Sequence, residues 1–182
     1  ELEHVVDMLD KHKFYAVGEI GIDLYWDKST LPIQQVAFRQ QIKLAKQHEL
    51  PIVIHCRDAF DEVFEILEEE KADNLYGIFH CFTGSLEQKK QAISYNMKLG
   101  IGGVATFKNG KIDQFLNEID LSHIVLETDA PYLTPYNINN KESYNDPSRL
   151  YEIANFCSNI FNEKLETIAN FSFNNSCSFF KI

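Results

Sequence analysis

Five short apolar runs recur along the chain, and stretches of helical period separate each from the next. Phe14 to Val17 is closed by Gly18 and followed by the polar tail EIGID. Ile52 to Ile54 follows Pro51 and stops at His55, and Leu75 to Phe79 stops at His80. Met97 to Ile101 ends in Gly102 and Gly103, and Ile124 to Leu126 runs into Glu127, Thr128 and Asp129. Around these runs, Leu2 to His12, Gln34 to Gln47, Asp58 to Glu70, Leu86 to Tyr95 and Lys111 to Ile119 space their apolar residues as helices do. Ser148 to Phe161 and Glu163 to Phe180 add two closing helices. Runs that are apolar throughout belong to strands covered on both faces, so the alternation predicts an α/β fold with a parallel sheet among helices.

No Gly/Ser-rich linker or repeat interrupts the pattern, and residues 1–182 read as a single domain. A complete TIM-type (β/α)8 barrel takes about 250 residues, so a chain of 182 residues with five strand units falls short by roughly three βα units. The expectation is a barrel incomplete at its N-terminal side, consisting of about five C-terminal βα units plus the C-terminal helices. The start at Glu1 rather than Met agrees with a remainder of a longer chain.

The polar residues that end the runs are the chemically informative ones. Glu19, His55, His80 and Asp129 each follow an apolar run, on four different predicted strands. In a parallel barrel those ends share one face, where catalytic groups from several strands converge. A single strand-end histidine is most simply bonded to a backbone carbonyl. Two imidazoles and two carboxylates together form a ligand set for a divalent cation such as zinc, manganese or magnesium. Cys56 and Cys81 directly follow the histidines, and strand alternation turns them away, as small fillers between sheet and helices.

Charge supports a metal requirement. The formal net charge of −10 repels nucleic acid and anionic membrane, so a phosphate substrate would need a local positive centre. Four cysteines without a C-x-x-C pair, no signal-peptide pattern and no long apolar stretch lead to the expectation of a cytoplasmic protein with reduced thiols and no membrane association. No obligate protein partner is evident.

GEIGID at 18–23, PIVIHCRDA at 51–59, HCFTG at 80–84 and ETDAPYLTP at 127–135 resemble the TatD family of metal-dependent deoxyribonucleases. The closing stretch Asn175 to Phe180 is similar to that family's N-x-x-x-[LF]-F helix. The resemblance implies DNA as substrate and two divalent metal ions (Mg, Mn or Zn) as cofactors. It also implies that Glu19 bridges the ions, that His55 and His80 bind metal, and that Asp129 binds metal and orients or deprotonates the attacking water. Two features depart from the family pattern. Nothing here corresponds to its initial H-x-H strand, because His4 and His12 lie in an amphipathic helix at another spacing. The stretch NINNKESYNDPSRL carries Asn145, Asp146 and Pro147, where the family tends to a basic loop followed by Asn-Glu-Pro. Hydrolysis of a small amide or ester, and an inactive fragment lacking the H-x-H strand, are the alternatives to a deoxyribonuclease.

Three further residues are candidates for holding substrate. Arg57 could fork onto a phosphate or pair with Asp58 or Asp61. Thr83, with Gly84 and Ser85, could offer backbone N–H groups to a phosphate or simply cap the next helix. Tyr132 could stack on a base or pack against Pro131 and Pro135.

Overall fold

β1 (Val17–Asp23) is longer than the apolar run that announces it. In the computed structural model, which describes residues 2–107, 112–136 and 144–182, the supposed polar tail EIGID is itself strand. The reason is alternation: Ile20 and Ile22 are buried, whereas Glu19, Gly21 and Asp23 point to the other face. Phe14 and Tyr15, expected in the strand, precede it and are exposed.

The contacts divide the chain into two compact units. The first comprises residues 1–80, 90–97 and 181, the second residues 81–89, 98–180 and 182. In the first, β1, β2 (Ile52–Arg57) and β3 (Gly77–Phe79) are parallel neighbours in chain order. Helix α2 (Leu31–Gln47) buries Phe38, Ile42 and Ala45, and α3 (Phe60–Glu69) buries Val63, Phe64, Ile66 and Leu67. Apart from Ala45, each of these side chains removed from water stabilises the unit by about 1.5–3 kcal/mol. Phe60 and Phe64 of α3 lie 6.0 and 5.6 Å, centroid to centroid, from Phe79 of β3. By contrast α1 (Leu2–Lys11) forms where predicted, yet none of its residues is buried.

Helix α4 (Leu86–Ser94) begins with a capping box: the Ser85 N–H donates to Gln88 Oε1 at 2.8 Å and the Gln88 N–H to Ser85 Oγ at 3.2 Å. In the second unit β4 (Met97–Ile101) and β5 (Ile124–Leu126) pair in parallel through Leu99 to Ile101. The helix expected over 111–119 is replaced by 3-10 turns at Ile112–Gln114 and Leu116–Glu118, Lys111 lying outside the described residues. Successive tight turns bury Ile112, Leu116 and Ile119 there in place of an α-helix. The last helices, α5 (Leu150–Phe161) and α6 (Leu165–Phe180), pack on β5. Asn175 of α6 donates from Nδ2 to the carbonyls of Leu121 and Ile124, at 2.7 Å each, which locks the start of β5 to the helix. Among the described residues no helix is long and apolar enough to cross a membrane.

Candidate metal centre

Glu19 sits inside β1 and His55 inside β2, not beyond their ends, while His80 directly follows β3. The pairing of β1 with β2 slips at Glu19: Gly18 faces Val53 and Ile20 faces Ile54, which leaves Glu19 as the extra residue of a bulge. Bulges re-aim a side chain, and this one presents both carboxylate oxygens to the imidazoles. Glu19 Oε2 lies 3.9 Å from His55 Nδ1, and Oε1 lies 3.9 Å from His80 Nε2. The histidine rings are stacked at 28° with centroids 6.3 Å apart. Gly21 makes the approach of the strands possible. Its φ is 143°, and a Cβ there would stand 2.0 Å from the His55 carbonyl oxygen.

The three donor atoms lie within 4.8 Å of one another. At 3.9 Å a carboxylate and an imidazole make no hydrogen bond, but two bonds of about 2.1 Å to a shared cation bring donors to about 4.2 Å or closer. The arrangement therefore fits a divalent cation better than it fits direct pairing.

A residue that sequence reasoning passed over completes this network. Asp23, the last letter of GEIGID, accepts from His55 Nε2 at 3.0 Å. That bond puts the imidazole proton on Nε2 and leaves the Nδ1 lone pair turned toward Glu19, the carboxylate–histidine pattern of metal sites. Burial opposes ionisation of Asp23, but the Tyr25 N–H, the His55 ring and the Arg57 charge outweigh it and hold the carboxyl below its ordinary value. Gln34 of α2 grips the same residue by its backbone, accepting the Asp23 N–H at 2.8 Å and donating to its carbonyl at 2.9 Å. The signal was present in the sequence, since Asp23 lies four residues beyond Glu19 on the same face of a strand.

Asp129 belongs to the second unit. It stands three residues beyond β5 in the left-handed region, with a φ of 55°. Its carbonyl accepts the Tyr132 N–H at 2.8 Å, and the buried amide of Asn145 donates to the carbonyls of Thr128 and Tyr132 on either side of it. Asn145 is thus the clamp of the Asp129 loop, a role that the resemblance of its stretch to the family's Asn-Glu-Pro did not name. Glu127 accepts the Cys81 N–H and is packed so closely that a Cβ on Gly100 would meet its carboxylate at 2.8 Å.

Of the substrate candidates, Arg57 lies with its guanidinium carbon 3.7 Å from the centroid of the Tyr25 ring. Thr83 is exposed, and Ser85 makes the helix cap described above. Tyr132 is 70% exposed. Residues 137–143 of the loop that departs from the family pattern lie outside the described residues. Cys56 turns into the interior, where burial pushes its thiol up to about 12, so it acts as a filler.

The family model described as TatD related DNase matches residues 1–181. The chain belongs to the TatD family. It is 39% identical over its whole length to the metal-dependent hydrolase YabD of Bacillus subtilis, of which it covers 71%. It is 36% identical over 143 residues to a Rahnella protein named 3'-5' ssDNA/RNA exonuclease TatD, matching 76% of this chain and 54% of that one. The crystal structure of the Escherichia coli TatD homologue YjjV superposes with a TM-score of 0.92 at 29% identity, covering all of this chain and 70% of that one. Other curated hydrolases of the family are covered over 60–63% of their length. The protein is therefore of the metal-dependent hydrolase type, with an α/β fold that matches TatD structures over the whole chain.

Proposed function

We propose that the chain serves a deoxyribonuclease that hydrolyses phosphodiester bonds of single-stranded DNA with divalent metal ions, in a cytoplasmic setting. The observation that carries this reading is the Glu19, His55 and His80 group, whose donor atoms face one another at cation-sharing distance. Family membership and the name of the Rahnella relative support nucleic acid as the substrate class.

A divalent cation bound there lowers the pKa of a coordinated water and offsets the phosphate charge that a −10 protein would otherwise repel. The chain's own residues supply the rest. Glu19, with both oxygens turned to the imidazoles, would hold the metal together with His55 and His80. His55 and His80 offer neutral nitrogens, and Asp23 keeps His55 in the ligating tautomer. In this reading Asp129 also binds metal and orients or deprotonates the attacking water. Arg57 holds a phosphate through the N–H edge of its guanidinium, and Thr83 and Tyr132 contribute further substrate contacts.

The test compares hydrolysis of a single-stranded oligonucleotide with that of small aryl esters and amides, each with and without a chelator. Metal-dependent release of nucleotides in excess of ester or amide turnover is the expected result. Preferential turnover of the small substrates would replace the phosphodiesterase reading by the small-molecule one, and undiminished cleavage after exhaustive chelation would overturn the metal mechanism.

A further inference from the structure

Directly after Asp23 the chain places its largest aromatic side chains in water. Trp26 is 80% exposed and Tyr25 52% exposed, and their rings meet edge to face at 88° with centroids 4.7 Å apart. Both are held in place from each side. The Leu24 N–H donates to the Arg57 carbonyl at 2.9 Å, Leu24 itself is buried, and the Tyr25 N–H is bonded to Asp23 Oδ1 at 2.9 Å. On the other side Asp27 caps the following turn by accepting the Ser29 N–H at 2.9 Å. The Arg57 guanidinium covers Tyr25 at 3.7 Å and reaches to 5.8 Å of the Trp26 centroid.

A folded chain gains nothing for its own core from a tryptophan left so far in solvent. A rigid Tyr–Trp–Arg cluster has the chemistry of a contact surface: two ring faces and edges for a planar ligand, beside a cation whose N–H edge remains available to an anion. We propose that Trp26, Tyr25 and Arg57 form a platform on which an unpaired nucleobase of a single strand stacks, while Arg57 takes the adjoining phosphate. Net charge leaves stacking as the contact open to this occupant. With −10 overall the protein draws little affinity from the phosphate backbone, whereas base stacking is indifferent to net charge and tolerant of sequence. Duplex bases already stack on one another, so the platform selects single strands and frayed ends. Asp23 joins it to the metal group, since this carboxylate bonds both the Tyr25 N–H and the His55 ring.

This inference rests on the phosphodiesterase reading but can be tested without catalysis. Trp26 is the only tryptophan of the chain, so its emission reports this one place. In chelator, the full chain is titrated with a short oligothymidylate, an abasic strand of equal length and a neutral oligosaccharide. Oligothymidylate should quench Trp26, and the abasic strand should bind about tenfold more weakly, a loss typical of one stacked base. Anisotropy of a labelled strand should show the same tenfold loss for Trp26→Ala, a smaller one for Trp26→Phe, and none for Phe173→Ala, which removes another exposed aromatic ring. Binding without quenching, equal affinity of Trp26→Ala, quenching by the oligosaccharide alone, or no binding would each overturn the platform. Metal-dependent DNA cleavage with an unperturbed Trp26 would leave the phosphodiesterase reading standing. Quenching and the Trp26→Ala defect without any cleavage would do the reverse.

Discussion

The loop of Asp129 is held through the backbone on either side of that residue, whereas the Glu19, His55 and His80 group has a side-chain carboxylate orienting one of its rings. In the first unit a carboxylate fixes a ligand ring directly: Asp23 orients His55, while Gln34 grips the Asp23 backbone and a bulge aims Glu19. In the second unit, amides fix backbone: Asn175 ties the start of β5 to α6, and Asn145 bridges the carbonyls flanking Asp129. The difference teaches where substitutions will act through chemistry and where through geometry. A change at Asp23 alters the protonation and aim of a ligand, whereas a change at Asn145 releases a loop.

The largest effects are expected at the carboxylates themselves. Asp129→Asn should lower DNA hydrolysis by about 10²–10⁴-fold, because an amide cannot accept a proton from water. Glu19→Gln should lower it at least as much and should also reduce metal affinity in a calorimetric titration. A Glu19→Gln protein that binds metal normally would break the first half of the comparison. Next comes Asp23→Asn, which should cost about 10–100-fold in metal affinity with the melting temperature little changed. Asn145→Ala is its counterpart in the second unit. It removes the donor shared by two carbonyls, at about 0.5–1.5 kcal/mol for each bond, and should reduce turnover and loop protection in hydrogen exchange with a smaller loss of metal affinity than Asp23→Asn. Equal metal defects in Asp23→Asn and Asn145→Ala would erase the distinction between the two regions.

The smallest effect is electrostatic. Burial works against ionisation of Glu70, but Lys46 at 2.8 Å and Lys43 at 3.5 Å hold its carboxyl below the ordinary value of 4.5. A depressed folded-state pKa stabilises the fold above 4.5, and that contribution is lost as pH falls through the folded value. Chemical denaturation should therefore show Glu70→Gln destabilised by about 1 kcal/mol at pH 7 and nearly equal to the parent in acid.

What could be read in advance follows from the same contrast. Strands covered on both faces announce themselves as apolar runs, so β2 to β5 were legible within two or three residues. β1 was misplaced because its outward face carries Gly18, Glu19, Gly21 and Asp23, which read as a tail until Ile20 and Ile22 are seen as buried. Glu19, His55 and His80 stood out because ligand-type side chains follow several separate apolar runs, although the structure places Glu19 and His55 inside their strands. Asp23 shares their face but needs the β1 and β2 pairing, Gly21 beside His55 and Asp23 beside Arg57, before its partner can be named. Asn145 and Asn175 stood out only through the family resemblance, and their roles could not be named, since an amide bridging two carbonyls leaves no periodic trace. Residues 111–119 misled because the spacing of Ile112, Leu116 and Ile119 suits either an α-helix or successive 3-10 turns.

The central claim is that Glu19, His55 and His80 hold a divalent cation. Anomalous diffraction from crystals grown with manganese tests it most directly. The account predicts a peak at ligand distance from Glu19, His55 Nδ1 and His80 Nε2, lost in Glu19→Gln. A manganese peak elsewhere with these three residues unliganded, or one that survives Glu19→Gln unchanged, would contradict it.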